Sequence, residues 1–261
     1  MICFFAALLI LFSPPVFAQD ALPAWQANAV AVDLPDYVAP MIAVVIDDMG
    51  VNRGMTRKAL ELPAPLTMSF LPYARNLEQQ TAQARTNGHE LMLHLPMQPF
   101  SPRKNAGAGA LTTDMSESEI HDALDNALAA FDGYVGINNH MGSRFTANAE
   151  LTRIVLSELH RRGLLFLDSV TSRYSTAYRI AREIGMPAAK RQVFLDNTEA
   201  EIPARLDDLE RYASKHGAAI GIGHPRPSTI EALRNWIPDA AERGFVFVPV
   251  SAIVARQSDE D

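Results

Sequence analysis

Cysteine is all but missing from this chain: of 261 residues only Cys3 is one, and it lies in the apolar stretch that opens the sequence. Removal of that stretch would leave no thiol and no disulfide, so stability has to come from a buried hydrophobic core. Basic charge is scarce as well. Lys and Arg number 23 against 30 Asp and Glu, for a formal charge of −7. No basic stripe gathers anywhere along the sequence, which argues against nucleic acid or an anionic membrane surface as partner and favours a neutral ligand such as carbohydrate. There is no internal repeat and no charge run. The one glycine-rich piece, Ala106–Ala110 (AGAGA), lacks the lysine and the strand-to-helix context of a phosphate-binding loop and reads as a flexible loop.

Residues 1–18 (MICFFAALLILFSPPVFA) hold an apolar run of about a dozen residues, a Pro14-Pro15 break and a small residue at Ala18. This pattern predicts a secretory signal peptide cleaved after Val16-Phe17-Ala18, although the usual basic leader is missing. The run falls short of the ~18–20 residues that span a bilayer, so no stable membrane span is expected and the protein should be periplasmic or secreted. Residues 19–40, rich in Ala and Pro with no sustained periodicity, read as an extended N-terminal arm. One domain is expected over 41–255, followed by a polar C-terminal tail over 256–261.

Beyond Met41 the hydrophobic pattern alternates between two kinds of segment. Short apolar runs predict strands near 41–46, 66–70, 90–95, 134–138, 164–168, 190–195, 218–222 and 245–249, with helices between them near 53–61, 76–87, 116–131, 148–162, 175–184, 202–216 and 228–243. Ser116 and Glu119 have the form of a capping box, Ser175 and Ser228 can cap a first turn, and Pro203 suits a first helical position. Gly88, Gly133, Gly163, Gly185, Gly217 and Gly244 each follow a helical pattern, where a left-handed C-terminal residue belongs. Strands and helices in strict alternation predict an α/β fold, a distorted (β/α) barrel of seven or eight strands, with a doubly wound open sheet as the alternative.

The reactive side chains fall at the ends of these strands. Asp47 and Asp48 follow MIAVVI, His94 closes the third run, and His140 follows the fourth. Asp168, Asp196 and His224 end later ones. Parallel strands open their C-terminal ends on one face, so residues spread over the whole sequence converge on one site. Adjacent carboxylates repel each other's ionisation, so a proton or cation has to divide their roles: one can bind metal while the other acts as a base. Imidazole and carboxylate together suit Zn²⁺ and leave a position for water. His224 titrates in the range for proton transfer near neutrality. The constellation points to metal-assisted hydrolysis.

Taken in order, Asp47-Asp48-Met49-Gly50, Gly88-His89-Glu90 with His94, Asn139-His140-Met141-Gly142-Ser143-Arg144, Phe166-Leu167-Asp168-Ser169 and Gly223-His224-Pro225 resemble the divergent branch of the polysaccharide deacetylases from about Ile42 to Val250. The resemblance implies divalent-metal-dependent removal of acetyl groups from N-acetylated sugars, with an N-acetylated glycan as substrate. It also implies roles: Asp47 as general base, Asp48 and His94 as metal ligands, His224 as general acid. The second histidine of the main family's His-x-x-x-His pattern is here Gln98, and His140 from the next strand end is expected in its stead. Arg144 is expected to orient Asp47, to hold substrate, or to form a structural ion pair. Asp168 and Asp196 are candidates for fixing the tautomer of His224. The loss at Gln98 sustains an alternative, an exported protein that binds glycan or an envelope partner through the same cleft without catalysis. His89, on the face away from the site, and the helical His121, His160 and His216 are expected to be structural or surface residues.

Overall fold

The computed structural model describes residues 22–34, 39–63 and 65–260, so the expected signal peptide lies outside the described residues. Nine strands are described: β1 (Met41–Met49), β2 (Thr67–Phe70), β3 (Glu90–Met97), β4 (Gly136–Met141), β5 (Leu165–Asp168), β6 (Ala188–Lys190), β7 (Val193–Phe194), β8 (Ala218–Gly223) and β9 (Val246–Phe247). The helices are α1 (Ala24–Ala27), α2 (Arg53–Leu60), α3 (Leu77–Thr86), α4 (Glu117–Leu128), α5 (Ala149–Arg161), α6 (Ala177–Glu183), α7 (Ile202–His216), α8 (Pro227–Glu242) and α9 (Val250–Glu260). All pairings between strands are parallel, in the order β6-β5-β4-β3-β2-β1-β8-β7, and β9 pairs with the first two residues of β1. The sheet curls into a barrel that stays open between β6 and β7, which are successive in sequence but not paired.

Period-two alternation sorts each strand's side chains between two cores. On β1, Ile42, Val44 and Ile46 face the helices, whereas Met41, Ala43 and Val45 face the barrel interior. On β3, Leu91, Leu93 and Leu95 face outward and Met92 inward. Ile220 and Ile222 of β8 join the inner set. Each Val, Leu, Ile or Met side chain among them contributes about 1.5–3 kcal/mol when taken out of water, before chain entropy is counted. The helices carry the expected signals: Ser116 and Glu119 form a capping box at α4, and the six glycines named above all have positive φ.

Four features depart from the sequence pattern. The expected strand near 190–195 is two short strands, interrupted where Gln192 turns its amide oxygen to the Ile220 N–H at 2.7 Å. Residues 256–260, read as part of a polar tail, are the later part of α9, whose Val250, Ile253 and Val254 close the foot of the barrel. The arm is not wholly extended: its turn of helix α1 buries Trp25 in the inner core, and Trp25 N–H donates to Gly163 O at 2.9 Å. Of the two serines expected to cap a first turn, Ser175 does so, accepting from Ala177 N–H at 3.3 Å, whereas Ser228 lies inside α8, after Pro227.

Candidate active site

The site forms where the inward-facing rows reach the C-terminal ends of the strands. Asp47 continues the row of Ala43 and Val45, His94 that of Glu90 and Met92, and His224 that of Ile220 and Ile222. Neighbouring residues on a regular strand point to opposite faces. Asp48 escapes that rule because its φ of 56° is left-handed, and the turn brings both carboxylates to one side. Met141 (φ 54°) and Val170 (φ 47°) share this rare conformation at the ends of β4 and β5. Each such residue costs about 1–3 kcal/mol, and a β-branched valine there is a true outlier. All three line the same cleft.

His140 Nδ1 lies 2.9 Å and His94 Nε2 3.4 Å from Asp48 Oδ1, and the two ring nitrogens are 3.1 Å apart. Asp48 Oδ1 is buried, yet no hydrogen-bond donor is aimed at it. Ligands around a four-coordinate zinc with bonds of about 2.0–2.1 Å stand about 3.3 Å apart, and the three separations bracket that value. The Nδ1 of His94 donates to Asn138 Oδ1 at 2.7 Å, which leaves its Nε2 lone pair for the centre. Asn138 is fixed in turn: Ser69 Oγ donates to its oxygen at 2.6 Å, and its Nδ2 donates to Asp47 Oδ1 at 2.7 Å. The donor set thus fits a divalent cation such as Zn²⁺. Gln98 takes no part, since its side-chain oxygen accepts from Thr113 N–H and Oγ at 2.9 and 2.8 Å.

Charge is arranged unevenly around this cradle. Burial pushes the Asp47 carboxyl above the ordinary carboxylate range, against the pull of His94, His224 and the Asn138 amide. Burial also acts to raise Asp48, but the adjacent His140 and His94 imidazoles outweigh it and hold its carboxyl well below the usual range. Burial acts to lower His224, and the carboxylates of Asp196, Asp47 and Asp48 together reverse it, leaving the imidazole raised. Asp196 Oδ1 accepts from His224 Nδ1 at 2.9 Å. Its Oδ2 accepts from the His224 backbone N–H and from Thr229 Oγ, both at 2.8 Å. His224 Nε2 therefore turns toward the cradle, 3.8 Å from Asp48 Oδ2.

The structure brings together Asp47, Asp48, His94, His140 and His224, and two other expected residues stand apart. Arg144 is exposed on a loop where its backbone N–H donates to Gln98 O, and it does not line the cleft. Asp168 is buried but accepts from Val170 N–H, Ser175 Oγ and Tyr178 N–H at 2.8, 2.7 and 3.2 Å. It therefore shapes the loop after β5 and leaves His224 to Asp196. The arginine that does line the cleft is Arg191. Its guanidinium donates to Ser169 O at 2.7 Å and Val170 O at 2.8 Å and stacks 5.0 Å from the Phe194 ring centroid. Burial lowers its pKa while Asp47 and Asp168 pull the other way. Sequence reasoning also assigned no role to Asn138 or Ser69; the signal available was a run of polar residues, Asn138-Asn139-His140, closing a buried strand. Among the other histidines, His89 is buried and spans Leu66 N–H and Leu60 O.

The family described as divergent polysaccharide deacetylase matches residues 44–254. The uncharacterized protein YibQ of Escherichia coli is 35% identical over 202 residues, which span 77% of this chain and 63%, less than two thirds, of that one. The crystal structure of an uncharacterized protein from Agrobacterium tumefaciens superposes with a TM-score of 0.86 at 33% identity, over 93% of this chain and 100% of that one. The catalytic domain of a peptidoglycan N-acetylglucosamine deacetylase from Eubacterium rectale shares the fold, with a TM-score of 0.53 at 13% identity over 84% of this chain and 92% of that one.

Proposed function

The chain belongs to the divergent polysaccharide deacetylase family, and from that premise we propose that it is an exported, metal-dependent N-deacetylase of N-acetylated envelope glycans. One observation carries this reading. A three-ligand cradle of Asp48, His94 and His140 stands between a buried carboxylate, Asp47, and an imidazole, His224, that is already paired to Asp196. When bound, a divalent cation such as Zn²⁺ would polarise the acetamide carbonyl and offset the negative charge that develops on its oxygen.

The remaining steps fall to side chains. Asp47, held by Asn138 and raised by burial, accepts a proton from the attacking water. His94, His224 and the Asn138 amide favour its charged form against that burial and aim it. His224 gives a proton to the departing amine nitrogen, while Asp196 holds the Nδ1–H and steadies the imidazolium. Water adds across the amide C–N bond, so the products are a free amino sugar and acetate. The signal-like residues 1–18 support export, and no helix among the described residues is long and apolar enough to cross a membrane.

The alternative of a non-catalytic glycan-binding protein rested on the ligand missing at Gln98, and the convergence of His140 on Asp48 weakens it. The test is to measure bound metal in the purified protein together with acetate release from N-acetylglucosamine oligomers. Near-stoichiometric metal and release that stops on chelation are expected. Release of no acetate from any N-acetylated glycan by metal-loaded protein would overturn the enzymatic reading.

A further inference from the structure

The cleft, about 730 Å³ in volume, extends past the catalytic groups to Phe100, whose ring meets that of Tyr174 just outside the lining, an aromatic pair no step above uses. Phe100, on the loop between β3 and α4, lines the cleft and is 49% exposed. Tyr174, on the loop between β5 and α6, is 56% exposed and meets Phe100 edge-on, with ring centroids 6.4 Å apart and planes at 84°. Large aromatic rings left half in water forgo the burial that drives them into cores.

Both rings are tethered in that position. Phe100 N–H donates to Ser143 Oγ at 2.9 Å, which ties its loop to the segment after His140. Tyr174 N–H donates to Ser172 Oγ at 3.1 Å, and Arg173 both packs against the Tyr174 ring at 4.7 Å and donates to its hydroxyl at 2.5 Å. The loops that carry the pair leave the same strands, β3 and β5, that deliver His94 and Asp168.

We propose that Phe100 and Tyr174 form a stacking platform for a pyranose ring of the glycan chain that flanks the ring being deacetylated, so that the protein selects oligosaccharides over single sugars. A pyranose presents axial C–H groups on one face and hydroxyls at its rim. The negative face of an aromatic ring attracts those C–H edges as it attracts the edge of another ring. The two perpendicular rings offer a corner, with one plane to stack on and one edge to fix direction. This inference deepens the glycan reading above and rests on it for the ligand class.

The test compares wild type, Phe100→Ala, Tyr174→Ala, the double variant and Phe100→Trp. Calorimetry gives binding of N-acetylglucosamine and of its tetramer to metal-loaded protein, and hydrolysis of a small aryl acetate reports the chemistry apart from the platform. The expected result is tetramer binding weakened about 2- to 13-fold per ring removed. Monomer affinity and aryl acetate turnover should stay unchanged, and Phe100→Trp should keep the tetramer bound. Equal tetramer affinity in wild type and the double variant, tetramer binding no tighter than monomer in wild type, or no oligosaccharide binding at all would each overturn the platform. Platform-dependent binding without any hydrolysis would uphold it while the enzymatic reading fails.

Discussion

Two buried carboxylates mark opposite ends of the barrel, and their surroundings set a structural acid apart from the one we propose as a base. Glu90 opens β3 at the foot. Thr67 Oγ donates to it at 3.0 Å, Ser251 donates through both its backbone N–H and its hydroxyl, and Val250 N–H reaches Thr67 Oγ at 3.0 Å, so the acid holds the start of α9 in place. Burial pushes Glu90 up to about 7, against these hydrogen bonds. Asp47 is raised by the same cause, but its neighbours are His94, His224 and the Asn138 amide. A perturbed pKa is therefore no mark of catalysis by itself. What separates the two is whether the groups alongside can bind a cation or move a proton.

The largest effect that sharpens this contrast is loss of the cradle. Alanine at Asp48, His94 or His140 should each abolish stoichiometric metal and with it acetate release, whereas Gln98→Ala should keep the metal, as metal analysis of the purified variants will read. Retention of metal by both His94→Ala and His140→Ala would break the assignment. Next comes Asp47→Asn, which keeps size and hydrogen bonding but cannot accept a proton. It should keep metal and lose about 10²–10⁴-fold in kcat/KM, while Glu90→Gln, at the other end of the barrel, should leave kcat/KM unchanged.

The foot of the barrel has its own signature in stability. Glu90 is held near 7 when folded against an ordinary value of 4.5, so the folded state binds the extra proton between those limits. Its contribution is fully present below pH 4.5 and is lost as pH rises through 7. The difference corresponds to about 3 kcal/mol, to order of magnitude. Denaturant titrations should show Glu90→Gln gaining on wild type steadily over that window. An offset independent of pH would mean that Glu90 is ionised throughout. At the head, Asp196→Asn removes the carboxylate that raises His224, so the alkaline limb of the kcat/KM profile should move to lower pH while metal content holds.

The strand ends of this fold were legible because burial on both faces makes parallel strands into plain apolar runs. Asp47, Asp48, His94, His140 and His224 each follow such a run, and period two sets Asp47, His94 and His224 on the inner face. Direction within loops was not legible. Whether Arg144 or Arg191 lines the cleft depends on the loops that follow the left-handed turns at Met141 and Val170, and nothing in a valine announces positive φ. The break between β6 and β7 hid in the same way, because the residues that open it, Arg191 and Gln192, bond across to β5 and β8 and not along their own strand. Helix α9 was missed because its inward residues cover barely more than one turn before the sequence becomes polar.

The smallest expected effect tests the arginine correction directly. Arg144 is exposed, and its backbone N–H donates to Gln98 O, so Arg144→Ala keeps that bond and should change stability by no more than about 0.5 kcal/mol and kcat/KM hardly at all. Arg191→Met is its counterpart: similar in length and able to pack on Phe194, but without the positive charge that lines the cleft or the donors that satisfy Ser169 O and Val170 O. Two part-buried carbonyls lose their donors, each worth at most about 1 kcal/mol where water can replace them, and the strained turn at Val170 loses its tether. Arg191→Met should therefore lower both the melting temperature and kcat/KM, with metal still bound by Asp48, His94 and His140. If Arg144→Ala proves the more damaging of the two in kcat/KM, the arginine that serves the cleft has been misidentified.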